Sequence, residues 1–235
     1  SIIPDLPHFY DEPFADYSQI PTYFVCKSAK QAVTVSLSGD AGDELFGGYN
    51  RYLMAPRLWS KFSKVPSFFR KIVGMILLAI PIKFWDLISH QYNQITNQQN
   101  NFVHFGEKVH RFAARLRFIN SEDDLFSSLI SEPSADQIVL INEAGSQIDR
   151  KNAKFLTDPL PTYGVNDLAS KMMYLDTLNY LTDDILCKVD RAAMSNSLET
   201  RVPFLDHKIV ELAWRMPLEM KINHSEGKSI LRNIL

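Results

Sequence analysis

An α/β fold that is predominantly helical is predicted by three features of the sequence. Ala32–Leu37 (AVTVSL) is a short β-branched run followed by Gly39, the clearest strand in the chain. Tyr17–Lys30, just before it, places apolar residues at Ile20, Tyr23, Phe24 and Cys26, with Pro21 in the first turn. A helix leading into such a strand suggests part of a parallel sheet. Most of the remaining chain carries apolar residues at helical spacing.

The other elements follow in chain order. Ser1–Asp16, rich in proline and acids, reads as an extended, ordered loop. Arg51–Arg117 reads as helical, punctuated by Pro56, Pro66 and Pro81, with a Gln/Asn-rich turn at Gln94–Asn101. Ser121 followed by Asp124 is a capping signature for a helix to Ser131. Glu132–Gly164 is polar and irregular. Asp167–Tyr180 is an amphipathic helix, and Thr182–Ser197 a further one, capped by Thr182 with Asp183 and Asp184 at its positive end. Val202–Asp206 is a Pro-containing turn, and Asp206 caps His207–Met216. Leu218–Ile222 reads as a short strand, and the chain from Glu226 as helix.

Composition excludes several functions. The 235 residues are 46% hydrophobic and 22% charged, which suits a packed core and argues against wholesale disorder. With 25 basic and 27 acidic residues there is no global field to draw in nucleic acid or an anionic membrane, so neither is expected as a partner. Cys26 and Cys187 form neither a disulfide framework nor a metal-ligand spacing, which points to a reducing cytoplasm. The apolar stretch Val73–Ile82 is too short to span a bilayer, which needs about 20 apolar residues, and reads as a buried or surface-packed helix. The chain opens on Ser1 without a signal-peptide pattern and closes inside an apolar helical pattern, so it reads as an excised piece of a longer protein.

The segment after the strand carries the chemistry. Four of the nine glycines fall between Gly39 and Gly48, in Ser38-Gly39-Asp40-Ala41-Gly42-Asp43-Glu44-Leu45-Phe46-Gly47-Gly48-Tyr49. Open α/β sheets bind ligands beyond the carboxyl ends of their strands. Glycines there let the backbone turn sharply and place N–H groups on phosphate oxygens. Asp40, Asp43 and Glu44 would repel phosphate unless a cation intervenes, and Mg²⁺ prefers one or two carboxylates plus phosphate oxygens. A Gly-rich turn with solvated acids is the bland alternative.

A second constellation lies on the Thr182 helix. Asp184, Lys188, Arg191 and Ser195 form one stripe at 100° per residue, beside an apolar face of Ile185, Val189 and Ala192. It is either a solvated face or a cationic wall for phosphates or a carboxylate substrate. Glu199 and Arg201, two apart, point to one side if extended and can pair. The six histidines show no metal spacing, and no nucleophile elbow or Cys–His pair appears.

The strand and its Ser-Gly-Asp-x-Gly-Asp-Glu-Leu-Phe-Gly-Gly-Tyr loop resemble the C-terminal synthetase domain of glutamine-hydrolysing asparagine synthetases. So do Asp11–Asp16, Ile20–Tyr23, Lys188–Arg191, Ser197–Asp206 and Gly227–Arg232, in the family's order. The resemblance implies a parallel-sheet PP-loop ATP pyrophosphatase fold, adenine nucleotide alpha-hydrolase-like, with ATP and Mg²⁺ as cofactors. It implies activation of aspartate as β-aspartyl-AMP, with ammonia from a separate N-terminal glutaminase domain displacing AMP. By motif position, Ser38 and Gly39 contact the nucleotide through their backbone, with Gly42 and Glu44 in the same ATP/pyrophosphate loop. Asp40 takes the place of an acid tied to formation of the acyl-adenylate. Asp43 is the expected Mg²⁺–pyrophosphate ligand. Glu199, counted with Asp40 as catalytic, and Arg201 order the residues behind the site, and Lys188 and Arg191 lie on the substrate side. A preset cation and backbone donors would lower the barrier to charge separation on the phosphates.

On this reading residues 1–57 hold the strand and its loop, 58–163 a helical insert, and 164–235 the helical segment with Lys-Val-Asp-Arg and Ser-Leu-Glu-x-Arg-Val-Pro-Phe-Leu-Asp. The chain lacks the family's Ser-Gly-Gly-x-Asp-Ser pyrophosphate loop, its downstream catalytic-lysine segment and its N-terminal cysteine nucleophile. Ala41 stands where glycine is usual, and Tyr17 where serine is more typical. The isolated chain is therefore expected to be inactive and, through apolar surface left uncovered, to self-associate, in the simplest case as a homodimer. A paralogous amide ligase of the β-lactam synthetase kind and a non-catalytic helical interaction domain are the competing readings.

Overall fold

The computed structural model describes residues 2–10, 14–96, 104–130, 165, 167–223 and 226–235. The chain divides into two compact units: Ser1–Leu53 with Leu160–Leu235, and Met54–Pro159.

The first unit is built around two short parallel strands, β1 (Val35–Leu37) and β2 (Glu199–Arg201). Val35 pairs with Glu199, Ser36 with Thr200 and Leu37 with Arg201. The expected strand is therefore present but shorter, and its partner is the segment expected only to be extended. Before β1 lies α2 (Gln19–Lys30), with Pro21 in its first turn, where a missing N–H costs nothing. The N-terminal segment differs from the expected extended loop: a 3₁₀ turn (Ile3–Asp5) leads into α1 (Leu6–Tyr10). Pro4 and Pro7 fall in first turns, where proline is tolerated.

After β1 come α3 (Gly42–Phe46) and α4 (Asn50–Phe62), which runs into the second unit. Pro56 lies inside α4 and does not end it. The chain re-enters the first unit at α9 (Leu168–Leu178), where the Asp167 side chain accepts from the Ser170 N–H at 2.7 Å. A π-helical segment, Tyr180–Leu186, joins α9 to α10 (Cys187–Met194). The expected cap at Thr182 is thus overturned. Its hydroxyl donates back to the Leu178 carbonyl at 2.7 Å, inside a continuous helical run. Asp206 does cap α11 (His207–Arg215), accepting from the Lys208 N–H at 2.9 Å. Leu218–Lys221 is a helical turn, α12, in place of the expected strand: period-2 patterning over five residues was too short to outweigh the turn set by Pro217. The chain ends on α13 (Ser229–Ile234).

One core cluster packs α3 (Leu45, Phe46) against the π segment (Leu181, Ile185) and α11 (Ala213). A second packs Cys26 of α2 on Ala192 and Ala193 of α10 and on Leu198. Beside the first cluster, next to Tyr49 and Tyr180, lies a polar junction. Asp176 is almost fully buried and accepts from Arg51 Nε at 3.0 Å, Arg51 Nη2 at 2.9 Å and the Tyr52 hydroxyl at 2.6 Å. The guanidinium also lies 4.3 Å from the Tyr49 ring centroid and 5.2 Å from that of Tyr180.

The second unit is helical among its described residues. α5 (Ser67–Ala79) lies antiparallel on α7 (Phe105–Phe118), with α6 (Ile82–Thr96) and α8 (Glu122–Ile130) also against α7. An α-carbon hydrogen of Gly74 leaves room there; a Cβ would sit 2.8 Å from the Ala113 carbonyl oxygen. The Ser121–Asp124 capping pair forms as expected, in both directions, at 3.0 and 3.1 Å. The Gln/Asn-rich turn falls partly in α6, to Thr96; the rest of it, and Glu132–Gly164, lie outside the described residues.

Removing the Asp176 carboxylate leaves Arg51 and Tyr52 buried without their acceptor. Asp176→Ala is expected to destabilise the chain by about 3–5 kcal/mol, and Tyr52→Phe by about 1–2 kcal/mol, measured by urea denaturation.

Candidate functional site

The loop from Ser38 to Gly48 leaves β1 at its carboxyl end and passes directly into α3. Its first residue is tied to the neighbouring strand: the Ser38 N–H donates to the Arg201 carbonyl at 2.8 Å. The Ser38 hydroxyl donates to Asp40 Oδ2. Ser38 is therefore committed on both groups, and its amide is not open to a ligand. Gly39 is open instead, since nothing lies within 4 Å of where its Cβ would stand.

Ala41 takes a left-handed conformation, φ 65°, at the head of α3. That region costs an L-residue roughly 1–2 kcal/mol, which is the physical reason glycine suits this position. Gly47 closes α3 with φ 71°, its N–H on the Asp43 carbonyl. Gly48 serves close approach: a Cβ there would meet Asp43 Oδ1 at 1.8 Å and Lys228 Cε at 2.5 Å.

That approach brings in a residue the sequence reading did not single out. Lys228 Nζ lies 2.9 Å from Asp43 Oδ1, and the Lys228 N–H donates to the Phe46 carbonyl at 3.0 Å. Gly227 makes the fit possible, because a Cβ would fall 2.1 Å from the Gly47 carbonyl oxygen. The Gly-Lys-Ser step at 227–229 was the available signal.

The three acids of the loop divide. Asp40 and Asp43 are half-buried at the loop surface, and Gly42 is buried beneath them, its Cα side against Phe204. Glu44 turns into the core, where the Tyr49 hydroxyl donates to it at 2.6 Å. Burial raises the Glu44 carboxyl above its ordinary value, and the Tyr49 hydrogen bond only partly offsets this. Burial, with the Glu44 bond, also raises Tyr49. Glu44 is thus placed to anchor α3 and not to meet a phosphate.

Glu199 and Arg201 do pair, Arg201 Nε to Glu199 Oε1 at 2.7 Å, on the exposed face of β2. Their strand register puts Arg201 beside the loop and Glu199 about 7 Å further back along the strand.

The stripe on the 182–197 helix is split by the structure. Arg191 is exposed, whereas Lys188 is half-buried and bonded to Asp16 Oδ2 at 2.5 Å, with Asp184 at 3.8 Å. Asp184 lies in the π segment yet keeps its place beside Lys188 as an i,i+4 pair. Asp16 also accepts from the Ser18 N–H at 2.8 Å and hydroxyl at 2.7 Å. Burial alone would raise the Asp16 carboxyl. The bonds from Lys188 and Ser18 outweigh it and hold the group at about 2, against an ordinary 3.8. Burial works against the Lys188 ammonium, yet its bond to Asp16 raises it overall. Asp184 is raised by burial and by the Asp16 charge beside it.

No three His, Cys, Asp or Glu side chains converge as a metal cage among the described residues. Asp40 and Asp43 suit a cation that brings its own phosphate and water ligands, which is how Mg²⁺ binds, and do not suit a metal held by protein alone.

The family model for asparagine synthase matches residues 1–235. Among curated relatives, asparagine synthetase [glutamine-hydrolyzing] 1 of Bacillus subtilis is 29% identical over 232 residues, covering 98% of this chain and 32% of its own length. A putative asparagine synthetase [glutamine-hydrolyzing] of Mycobacterium bovis is 29% identical over 235 residues, 99% of this chain and 32% of its own. Putative asparagine synthetase [glutamine-hydrolyzing] 2 of Methanocaldococcus jannaschii is 34% identical over 199 residues, 83% and 32% respectively. The chain thus spans about a third of the length of these relatives. No solved structure matches it significantly.

Two outcomes are expected from this geometry. Asp16 has a depressed folded-state pKa, so its stabilisation is full above 3.8 and disappears as pH falls through about 2. Asp16→Asn should flatten that part of an acid-unfolding curve followed by circular dichroism. Gly48→Ala should push Asp43 from Lys228 and lower stability by about 1–3 kcal/mol in thermal denaturation, since a backbone-bound methyl has nowhere else to go.

Proposed function

Because the chain belongs to the asparagine synthase family, we propose that its first unit is the adenylating site of an ATP-dependent, glutamine-hydrolysing asparagine synthetase. In this reading the β-carboxylate of aspartate attacks the α-phosphorus of ATP, forming β-aspartyl-AMP and releasing pyrophosphate. Ammonia from a glutaminase domain N-terminal to this chain then attacks the acyl carbon, and AMP leaves. The unpaired state of Cys26 and Cys187 supports a cytoplasmic setting.

The observation that carries the reading is the loop itself. Asp40 and Asp43 sit at the carboxyl end of a parallel strand, on a turn whose glycines admit close approach, with one lysine on the Asp43 carboxylate. Mg²⁺, when bound, would neutralise the developing pyrophosphate charge. Asp43 would hold it, and Lys228 would take a phosphate oxygen in exchange for the carboxylate. Gly39 supplies open backbone for the nucleotide. Asp40, kept in place by the Ser38 hydroxyl, is nearest in sequence to that backbone and is the group we assign to acyl-adenylate formation. Arg201 supports the loop through its carbonyl, and Glu199 acts on the site only through Arg201. Arg191, exposed on α10, and Lys188, neutralised by Asp16, belong to the substrate side in differing degree.

The 235-residue chain lacks the Ser-Gly-Gly-x-Asp-Ser loop, so we propose that it does not turn over by itself. The test is aspartate-dependent ATP–pyrophosphate exchange in a polypeptide joining this chain to the segments that complete the relatives' length. Asp40→Asn and Asp43→Asn should each lower exchange on the order of 10²- to 10³-fold with an unchanged circular dichroism spectrum. Wild-type exchange with either variant, or exchange started by another amino acid in place of aspartate, would overturn the assignment.

A further inference from the structure

The second unit presents an amphipathic helix turned inside out. On α5, Val65 just before the helix and Phe68, Phe69, Ile72, Val73 and Ile76 recur at the three-and-four spacing of a single face. That face points away from α7. Phe68 is 66% exposed, Phe69 58% and Ile76 57%. The opposite face, packed on α7, buries Gly74 and Arg70, and the Arg70 Nε and Nη1 atoms have no hydrogen-bond partner. A water-soluble surface helix would have the reverse arrangement. The apolar stretch Val73–Ile82 is therefore surface-packed, with Gly74 buried and Val73, Met75 and Ile76 exposed, but it is not one element: it ends α5, breaks at Ile80–Pro81 and starts α6. α6 continues the pattern, with Phe84, Leu87 and Ile88 exposed on a shared face.

Charge is segregated in the same place. Residues 54–96 carry six Lys and Arg, five of them exposed, against Asp86 alone, although the second unit as a whole holds thirteen basic residues against ten acids. Lys64 and Lys71 flank the α5 stripe, and on α7 the exposed Lys108 and Arg111 share a face with Phe112.

We infer that the α5–α6 pair is a membrane-surface anchor, which lays its aromatic and aliphatic face into the headgroup boundary of an anionic bilayer while the surrounding lysines and arginines meet lipid phosphates. Exposed apolar residues on one face, basic flanks and helix length suit that partner. By length and composition the bent α5–α6 pair could pass as a broken span, but its geometry argues against one. No single described helix is long and apolar enough to cross, and α5 and α6 bend by 84° at their junction. An in-plane element tolerates such a bend, whereas a span would expose the freed backbone groups of Ile80–Pro81 to hydrocarbon. A second protein copy would need no such excess of positive charge, and two copies meeting through this face would bring like charges together. The expectation of no membrane partner rested on the global charge balance, and this inference departs from it on the local face alone.

Co-sedimentation of the intact chain with vesicles of phosphatidylcholine containing about one third phosphatidylglycerol tests the inference. Binding should weaken at least about tenfold on pure phosphatidylcholine, and again in about 0.5 M salt. Phe68→Glu with Phe69→Glu, at exposed positions that leave the circular dichroism spectrum unchanged, should abolish it. Lys64→Glu with Lys71→Glu should weaken binding to anionic vesicles without altering the weak binding to neutral ones. No sedimentation with anionic vesicles, or equal sedimentation of the phenylalanine variant, would overturn the inference. So would a dimer in analytical ultracentrifugation that the same variant dissociates while the wild type ignores vesicles.

Discussion

Arg51 and Tyr52 both direct their polar groups onto the buried carboxylate of Asp176, and the candidate site hangs from this junction. The two residues begin α4, the first helix after the glycine-rich loop, while Asp176 lies near the end of α9, more than a hundred residues on. Tyr49 extends the connection. Its ring stacks on the Arg51 guanidinium and its hydroxyl holds Glu44 of α3. The loop helix, the helix after it and α9 are thus joined by charge-assisted bonds and one cation–π contact. Such a network has little solvent to compete with it, so its donors and acceptors can be satisfied in one arrangement only.

The consequence is a division of labour among residues that look alike in the sequence. Glu44 is adjacent to Asp43, yet the first is drawn into the core and the second stays at the surface beside Lys228. Lys188 and Arg191 are one turn apart, yet only the first is neutralised, by an aspartate 172 positions earlier. Burial is the physical cause in both cases. A carboxylate or ammonium removed from water requires a partner, and the packing of α3 and α10 decides which side chains are removed.

The second unit obeys a different balance. It buries Leu116, Ile119, Leu125 and Phe126, yet α5 buries only Gly74 and Arg70 and leaves large apolar side chains outside. In water such a face carries an unfavourable hydration free energy that only another apolar phase can relieve. The positive charge gathered around it selects what that phase can be.

Local physics made much of the first unit legible in advance. The β-branched run at Val35–Leu37, proline in the first turn of α2, Asp167 and Asp206 as helix caps, and the glycines between Gly39 and Gly48 each act through their own backbone, and each stands where the sequence places it. What fails is what depends on distant neighbours. Thr182 has the chemistry of a cap, but the helix before it does not stop. Leu218–Ile222 has a strand's alternation but no strand to pair with. Lys228 belongs to a matching segment but gains a place beside Asp43 only because Gly227 lets the backbone approach Gly47. The sequence by itself determined the loop, its acids and most helix ends, because capping and turn preferences are set within a few residues. Only the tertiary structure decided which acid faces the site, which cation is free and which helix face is left in water, because burial and pairing are properties of contacts between segments far apart in the chain.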